Sequence, residues 1–277
     1  MKTIQEHNLS LAWLAALEYL CACGGKTANL IVGIERVDEE EIVIRQLFDK
    51  FIERKIERKK LYPISTVANT IFPWALYHPR LGSMARQHLY KMFRQGYSVE
   101  RRYHANNRGT YFQRMIAWPA KGGEVNQLEN VIKRLRSELA RINPFSSIYE
   151  LSIGEPEEYI EQEGIADIQV YLPGYDTRTM GFPCLSHICL TFHKGRIDMT
   201  ALYRNQYFIS KAYGNYLGLS RLLRFICQEV DCEAGELVCI ASHADAELLG
   251  IGKRDILTLV EECREAIRSN HVVKAPI

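Results

Sequence analysis

No apolar run in this sequence reaches the roughly 18 residues that a membrane-spanning helix needs. The apolar stretch Leu11–Cys23 is interrupted by Glu18. Residues Met1 to Ser10 carry Glu6, His7 and Asn8 and lack the basic-then-apolar order of a signal peptide. A large excess of charge of one sign is missing as well. The 35 Lys and Arg against 33 Asp and Glu leave a net charge of +2, which gives no electrostatic case for nucleic acid as the main partner. A small anion held by a few local arginines is compatible with it. There is no internal repeat and no low-complexity tract. These absences lead us to expect one globular domain over residues 1–277, cytoplasmic, with neither membrane nor nucleic acid as a partner.

Cysteine, in contrast, is plentiful. Eight fall at positions 21, 23, 184, 189, 227, 232, 239 and 263, several inside apolar periodic segments. That placement reads as free thiols in a reducing compartment rather than a disulfide frame.

Periodicity outlines the elements. Ser10 is placed to cap a first helix with Trp13, Leu14, Leu17 and Leu20 on its apolar face, ended by Gly24-Gly25. Residues 29–37 read as a strand, and Asp38 with Glu41 resembles a capping box. The helix after it buries Ile44, Leu47, Phe48 and Phe51, and its mixed-charge end at 53–60 reads as a solvated face. Residues 61–80, punctuated by Pro63, Pro73 and Pro79, are expected to be irregular. Helices follow over 81–103 and around Leu128–Leu139, with strands at 148–153 and 165–172. Two strands, 186–192 and 196–203, flank the turn His193-Lys194-Gly195. A helix through Leu219–Ile226, a short strand 237–241 and a closing helix through Ile256–Cys263 complete the chain. Without regular strand–helix–strand alternation, α+β is favoured over a doubly wound sheet.

Three motifs are discounted. Gly24-Gly25-Lys26-Thr27 ends like a phosphate-binding loop, but the glycine required five places before Gly25 is Leu20, and the order of elements is reversed. Cys21 and Cys23 lack the two-residue spacing of a metal or redox pair. Alternation along a strand puts His187, Cys189 and His193 on one face and Cys184 on the other, so a single metal site there would need a bulge.

The block from 181 to 247 carries the chemistry. It reads Gly181-Phe-Pro-Cys184-Leu-Ser-His187, an apolar hairpin, Ala201-Leu-Tyr203-Arg204-Asn205, and Gly214-Asn215 opening a long helix. Ala234-Gly235-Glu236-Leu237-Val238 and Ser242-His243-Ala244-Asp245 follow. In order and spacing this resembles thymidylate synthases, with their proline-cysteine nucleophile site, hairpin, tyrosine-glutamine-arginine-serine segment and helix-opening asparagine. Upstream, Asn107 to Tyr111 and Ala117-Trp118-Pro119 look like the family's glycine-x-tyrosine-glycine stretch, and Lys274 to Ile277 is similar to its C-terminal tail.

The resemblance implies a thymidylate synthase-like fold, a mixed sheet with surrounding helices, in a homodimer. It implies a one-carbon transferase that moves a methyl or hydroxymethyl unit from 5,10-methylenetetrahydrofolate to C5 of a pyrimidine nucleotide or nucleoside. Cys184 takes the place of the nucleophile and Tyr111 of the proton-handling tyrosine beside it. Arg204 matches the arginine that favours the thiolate and holds a phosphate, and Asn215 the residue that reads the base edge. Asn205, His243 and Asp245 stand near the remaining nucleotide contacts, with Glu247 beside them. Trp118 and Ile277 stand where the family meets folate. No metal is implied.

The departures are specific. Leu185, not histidine, follows the cysteine, and no arginine pair stands at 165–168. The segment Thr66–Pro73, in place of the catalytic-glutamate region, contains no glutamate. Arg178 is a candidate substitute for the lost phosphate cations. The alternative is a non-catalytic member of the same fold that binds a nucleotide or a protein.

Overall fold

A computed structural model of the protein describes residues 1–59, 61–100, 110–120, 123–141, 167–169, 183–269 and 274–276. In chain order the elements are β1 (Lys2–Asn8), α1 (Leu9–Ala22), β2 (Lys26–Arg36), β3 (Glu39–Glu41), α2 (Ile42–Lys59) and α3 (Ile64–Ile71). Then come α4 (Ala85–Glu100), α5 (Tyr111–Ile116), β4 (Trp118–Ala120), β5 (Gly123–Val125), α6 (Gln127–Leu139) and β6 (Asp167–Gln169). The last group is β7 (Leu185–His193), β8 (Arg196–Tyr203), β9 (Gln206–Tyr207), α7 (Tyr213–Val230), β10 (Glu233–Asp245), α8 (Lys253–Ser269) and β11 (Lys274–Pro276).

The main sheet runs β1-β2-β10-β8-β7-β6, with β9 beside β10. It is mixed. β1 pairs parallel to β2 and β8 parallel to β10, while β10–β2, β7–β8 and β6–β7 are antiparallel. With helices packed against it, this is an α+β arrangement. No described helix is long and apolar enough to cross a membrane.

Two helices form the centre. In α1, Leu9, Ala12, Trp13, Leu14, Ala16, Leu17 and Leu20 are all fully buried, more than one stripe of an amphipathic helix supplies. Helix α7 is buried almost throughout. The cap of α1 is Asn8, whose Oδ1 accepts from the Ser10 and Leu11 backbone N–H at 3.1 Å, rather than Ser10. Ser10 serves a long-range role instead. Its Oγ accepts from Glu41 N at 2.9 Å and bonds the Tyr213 hydroxyl at 2.8 Å, tying α1 to β3 and α7.

Other departures from the sequence reading are local. Asp38 and Glu41 form no capping box, because Glu39–Glu41 pairs with residues 274–276 as a two-stranded sheet. Residues 61–80 are not wholly irregular. Pro63 precedes α3, whose Ile64, Val67, Ala68 and Ile71 form one buried face. That face meets α7 at Gly214 and Gly218. A Cβ on Gly214 would come within 2.5 Å of Val67 Cβ, and one on Gly218 within 2.7 Å of the Ala68 carbonyl oxygen. Strand β10 is longer than the expected 237–241, because β2 and β8 pair with it along most of its length. In the mixed-charge end of α2, Lys55 forms an ion pair with Asp255 of α8. The expected strand at 148–153 lies outside the described residues.

Candidate functional site

The site forms where the chain enters β7. Position 184 precedes the strand, and the pairing of β7 with β8 shifts register between Leu185 and His187. Such a bulge re-aims side chains at a strand end. Cys184 is partly buried. Its carbonyl accepts from Arg204 N at 2.9 Å, and the Pro183 carbonyl accepts from Arg204 Nη2 at 2.8 Å. Tyr111, at the start of α5, closes the other side. Its hydroxyl accepts from Cys184 N at 3.3 Å and from Leu185 N at 3.5 Å. Three residues distant in sequence are thus joined by direct hydrogen bonds.

Electrostatics at this junction are opposed. Burial pushes the Cys184 thiol up, while the charges of Arg204 and Lys211 pull it down without reversing the direction. Burial also pushes the Tyr111 phenol up to about 12, with Cys184 adding to the rise, so it keeps its proton at neutral pH. Tyr203 is fully buried beside them, and among the described residues its hydroxyl has no hydrogen-bond partner.

The remaining sequence candidates fall in different places. Asn215 sits in the first turn of α7, buried to 4% exposure. It does not cap the helix, and its Oδ1 has no hydrogen-bond partner among the described residues. Asn205 Oδ1 bonds His243 Nδ1 at 2.7 Å, a pair near the end of β10. Asp245 is committed to a 3.1 Å ion pair with Lys26 and accepts from Glu247 N at 2.7 Å. Trp118 is 1% exposed within β4, so its ring offers no open face. Arg178 and Ile277 lie outside the described residues. Among described residues no group of His, Cys, Asp and Glu could hold a metal ion.

Lys211 escaped the sequence reading. It lies on the π-helical turn Phe208–Ala212 that leads into α7, and its only sequence signal is a cation four residues before Asn215. Glu247 was assigned no role beyond its place near the nucleotide contacts. Its carboxylate accepts from the backbone N–H of Ile209 at 2.9 Å and Ser210 at 2.7 Å, so it holds that turn. No local pattern announces a bond across 37 or 38 residues.

An α+β fold with a partly buried cysteine, an arginine and a partly buried tyrosine at one strand end defines a candidate thiol site. No protein-family model matches the chain. The protein named "Putative thymidylate synthase" in Methanosarcina barkeri is 27% identical over 135 residues, 49% of this chain and 51% of that relative. Those of the same name in Methanosarcina mazei and Methanosarcina acetivorans are 26% identical over 135 residues, with the same shares covered. The chain spans about half the length of the curated relatives it matches. This likeness supports a thymidylate synthase-like family, with the chain as a divergent relative.

Proposed function

We propose that this protein performs thymidylate synthase-like chemistry at C5 of a pyrimidine nucleotide or nucleoside, with Cys184 as nucleophile, on a thymidylate synthase-like fold formed by residues 1–277. The observation that carries the reading is the junction of Tyr111, Cys184 and Arg204. The Cys184 backbone is held from both sides, and the Arg204 and Lys211 cations favour its thiolate.

In this reading the Cys184 thiolate forms a bond to C6, and the electrons of the C5=C6 bond move onto the C4 carbonyl. C5 is then nucleophilic and exchanges its hydrogen or takes a new carbon. Loss of the C5 proton and departure of the thiolate restore the double bond. Asn215, with a buried acceptor that lacks a partner among the described residues, suits the N3–H of a uracil-like ring. Arg204 supplies charge for an anionic substituent, and Asn205 with His243 supplies polar groups for a sugar.

Methylenetetrahydrofolate would supply the one-carbon unit at the formaldehyde level, its nitrogen being the leaving group; a hydroxymethyl product would then need only water, and a methyl product a hydride that the reduced folate would give. The described residues do not fit it well. Trp118 is buried, and residues 274–276 are paired with β3. The donor therefore rests on the resemblance and the relatives' names.

A homodimer belongs to the same reading. Ile31, Ile240 and Leu202 are in register across β2, β10 and β8, and all three are only partly buried. That row is apolar sheet surface incompletely covered by the described residues.

A specific observation favours the alternative of a non-catalytic nucleotide- or protein-binding member. No glutamate stands in α3, and Phe72 and Pro73 that follow it are buried apolar residues.

The deciding experiment measures tritium release from C5-labelled uracil and cytosine nucleosides and nucleotides, with and without methylenetetrahydrofolate. Release by the native protein, abolished in Cys184→Ala, is expected. Folate-dependent release identifies the transfer. No release from any substrate by folded protein leaves the binding reading.

A further inference from the structure

Helix α7 ends at a left-handed residue, and a cysteine stands on each side of it. Asp231 takes φ 55° and ψ 55° and stops the helix after Val230. The backbone N–H of Cys232 then reaches back to the Cys227 carbonyl at 3.0 Å. A bond of this kind around a left-handed residue is the Schellman closure of a helix, and the side chains at its two ends commonly touch. Here both of those side chains are cysteines.

The hydrogen bond limits how far apart the two residues can be. Standard backbone dimensions place their Cα atoms at most about 6.9 Å apart, and closer where the path bends. Disulfides span Cα separations of roughly 4.4–6.8 Å. Cys21 and Cys23 at the end of α1 are the contrast, because positions two apart on a helix do not face each other.

Both thiols are free and hold weak bonds. Cys227 Sγ donates to the Glu233 carbonyl at 3.5 Å, and Cys232 Sγ to the Gly195 carbonyl at 3.0 Å. Cys227 is 3% exposed, whereas Cys232 is only partly buried, so a reagent meets Cys232 first. Burial pushes the Cys227 thiol up to about 12, and Cys232 adds to the rise. Its thiolate is therefore scarce at neutral pH, which makes closure slow without preventing it.

We infer that Cys227 and Cys232 are a redox pair that closes into a disulfide across the end of α7. The oxidant is a small-molecule disulfide. The Cys232 thiolate attacks one of its sulfurs, forming a mixed disulfide and expelling one small thiolate. The Cys227 thiolate then attacks the Cys232 sulfur and expels the second. The two protein thiols lose two electrons and two protons, and the small disulfide gains them as two thiols. Closure gives up the thiol contacts to Gly195 and Glu233. It thus exchanges a tie between α7 and the turn of the β7–β8 hairpin for a covalent clamp within the helix end. None of this depends on the chemistry proposed for Cys184.

The test incubates the folded full chain with oxidised and reduced glutathione at several ratios. Acid quenches the exchange, N-ethylmaleimide blocks the remaining thiols, and glutamyl endopeptidase cleaves the chain. That enzyme cuts after Glu229, between the two cysteines, so the disulfide is read by mass spectrometry as two linked peptides that separate on reduction. The linked pair is expected in the native chain and absent from Cys227→Ser and Cys232→Ser. Closure is expected to be favoured at least about tenfold over the same reaction in concentrated urea, because the fold holds the pair together. A glutathione adduct that persists on Cys232 without a link overturns the inference. So does a link from Cys232 to Cys239 or another cysteine, or equal closure in urea. Where Cys227→Ser does not fold by circular dichroism, Cys232→Ser, at the partly buried position, serves alone as the control.

Discussion

At the scale of single residues, the site depends on backbone groups as much as on side chains. The Tyr111 hydroxyl is the acceptor for both the Cys184 and Leu185 N–H. Tyr111→Phe deprives both donors and should cost about 1 kcal/mol in urea unfolding. In the proposed reading it should also slow Cys184-dependent tritium release, because the Cys184 backbone loses one of its two restraints. Lower stability with undiminished release would reduce Tyr111 to a structural role. Cys184, Arg204 and Tyr111 are singled out by the resemblance to thymidylate synthases. What that resemblance leaves open is their mutual bonding, which depends on α5 reaching a strand end 73 residues away. Glu247 illustrates the limit. An acidic residue after a strand carries no sign that it will enter the left-handed region and bind another segment's backbone.

At the scale of elements, the contact between α3 and α7 is set by the absence of side chains. Gly218→Ala would gain up to ~1 kcal/mol of helix propensity. The new Cβ would, however, lie 2.7 Å from the Ala68 carbonyl oxygen and 2.9 Å from Ile71 Cβ. Overpacking of this kind costs about 1–3 kcal/mol, and the net expected effect is a loss of stability. Gly96→Ala in α4 is the matched control. Nothing lies within 4 Å of its added Cβ, so it should stabilise by about 0.4–1 kcal/mol. Thermal melting of both variants checks the contrast, and equal shifts would refute the packing argument. The spacing Ile64, Val67, Ala68, Ile71 was present in the sequence, yet the flanking prolines masked it. Eight residues are too few to form a stable helix alone, so α3 depends on the α7 surface.

At the scale of the whole molecule, the partly buried row Ile31–Ile240–Leu202 bears on assembly. Ile240→Asp sets a carboxylate in the middle of that row. In the homodimer reading it should convert a dimer to a monomer in sedimentation velocity, with secondary structure retained by circular dichroism. A native protein that already sediments as a monomer would remove the dimer from the proposal.

The sequence by itself determined the amphipathic helices α2, α6 and α8 and the β7–β8 hairpin. The hairpin's Lys194 and Gly195 take φ of 50° and 81°, as a tight turn requires. The resemblance of residues 181–247 to thymidylate synthases marked where a thiol site was to be sought, because residue type and spacing along the chain are local properties. Only the tertiary structure decided that Asn8 rather than Ser10 caps α1, that Trp118 is enclosed, and that β10 extends beyond its apolar centre. It alone decided that Glu247 holds the backbone of Ile209 and Ser210. Each of these follows from a partner far along the chain, and burial, strand pairing and charge proximity exist only once those partners meet.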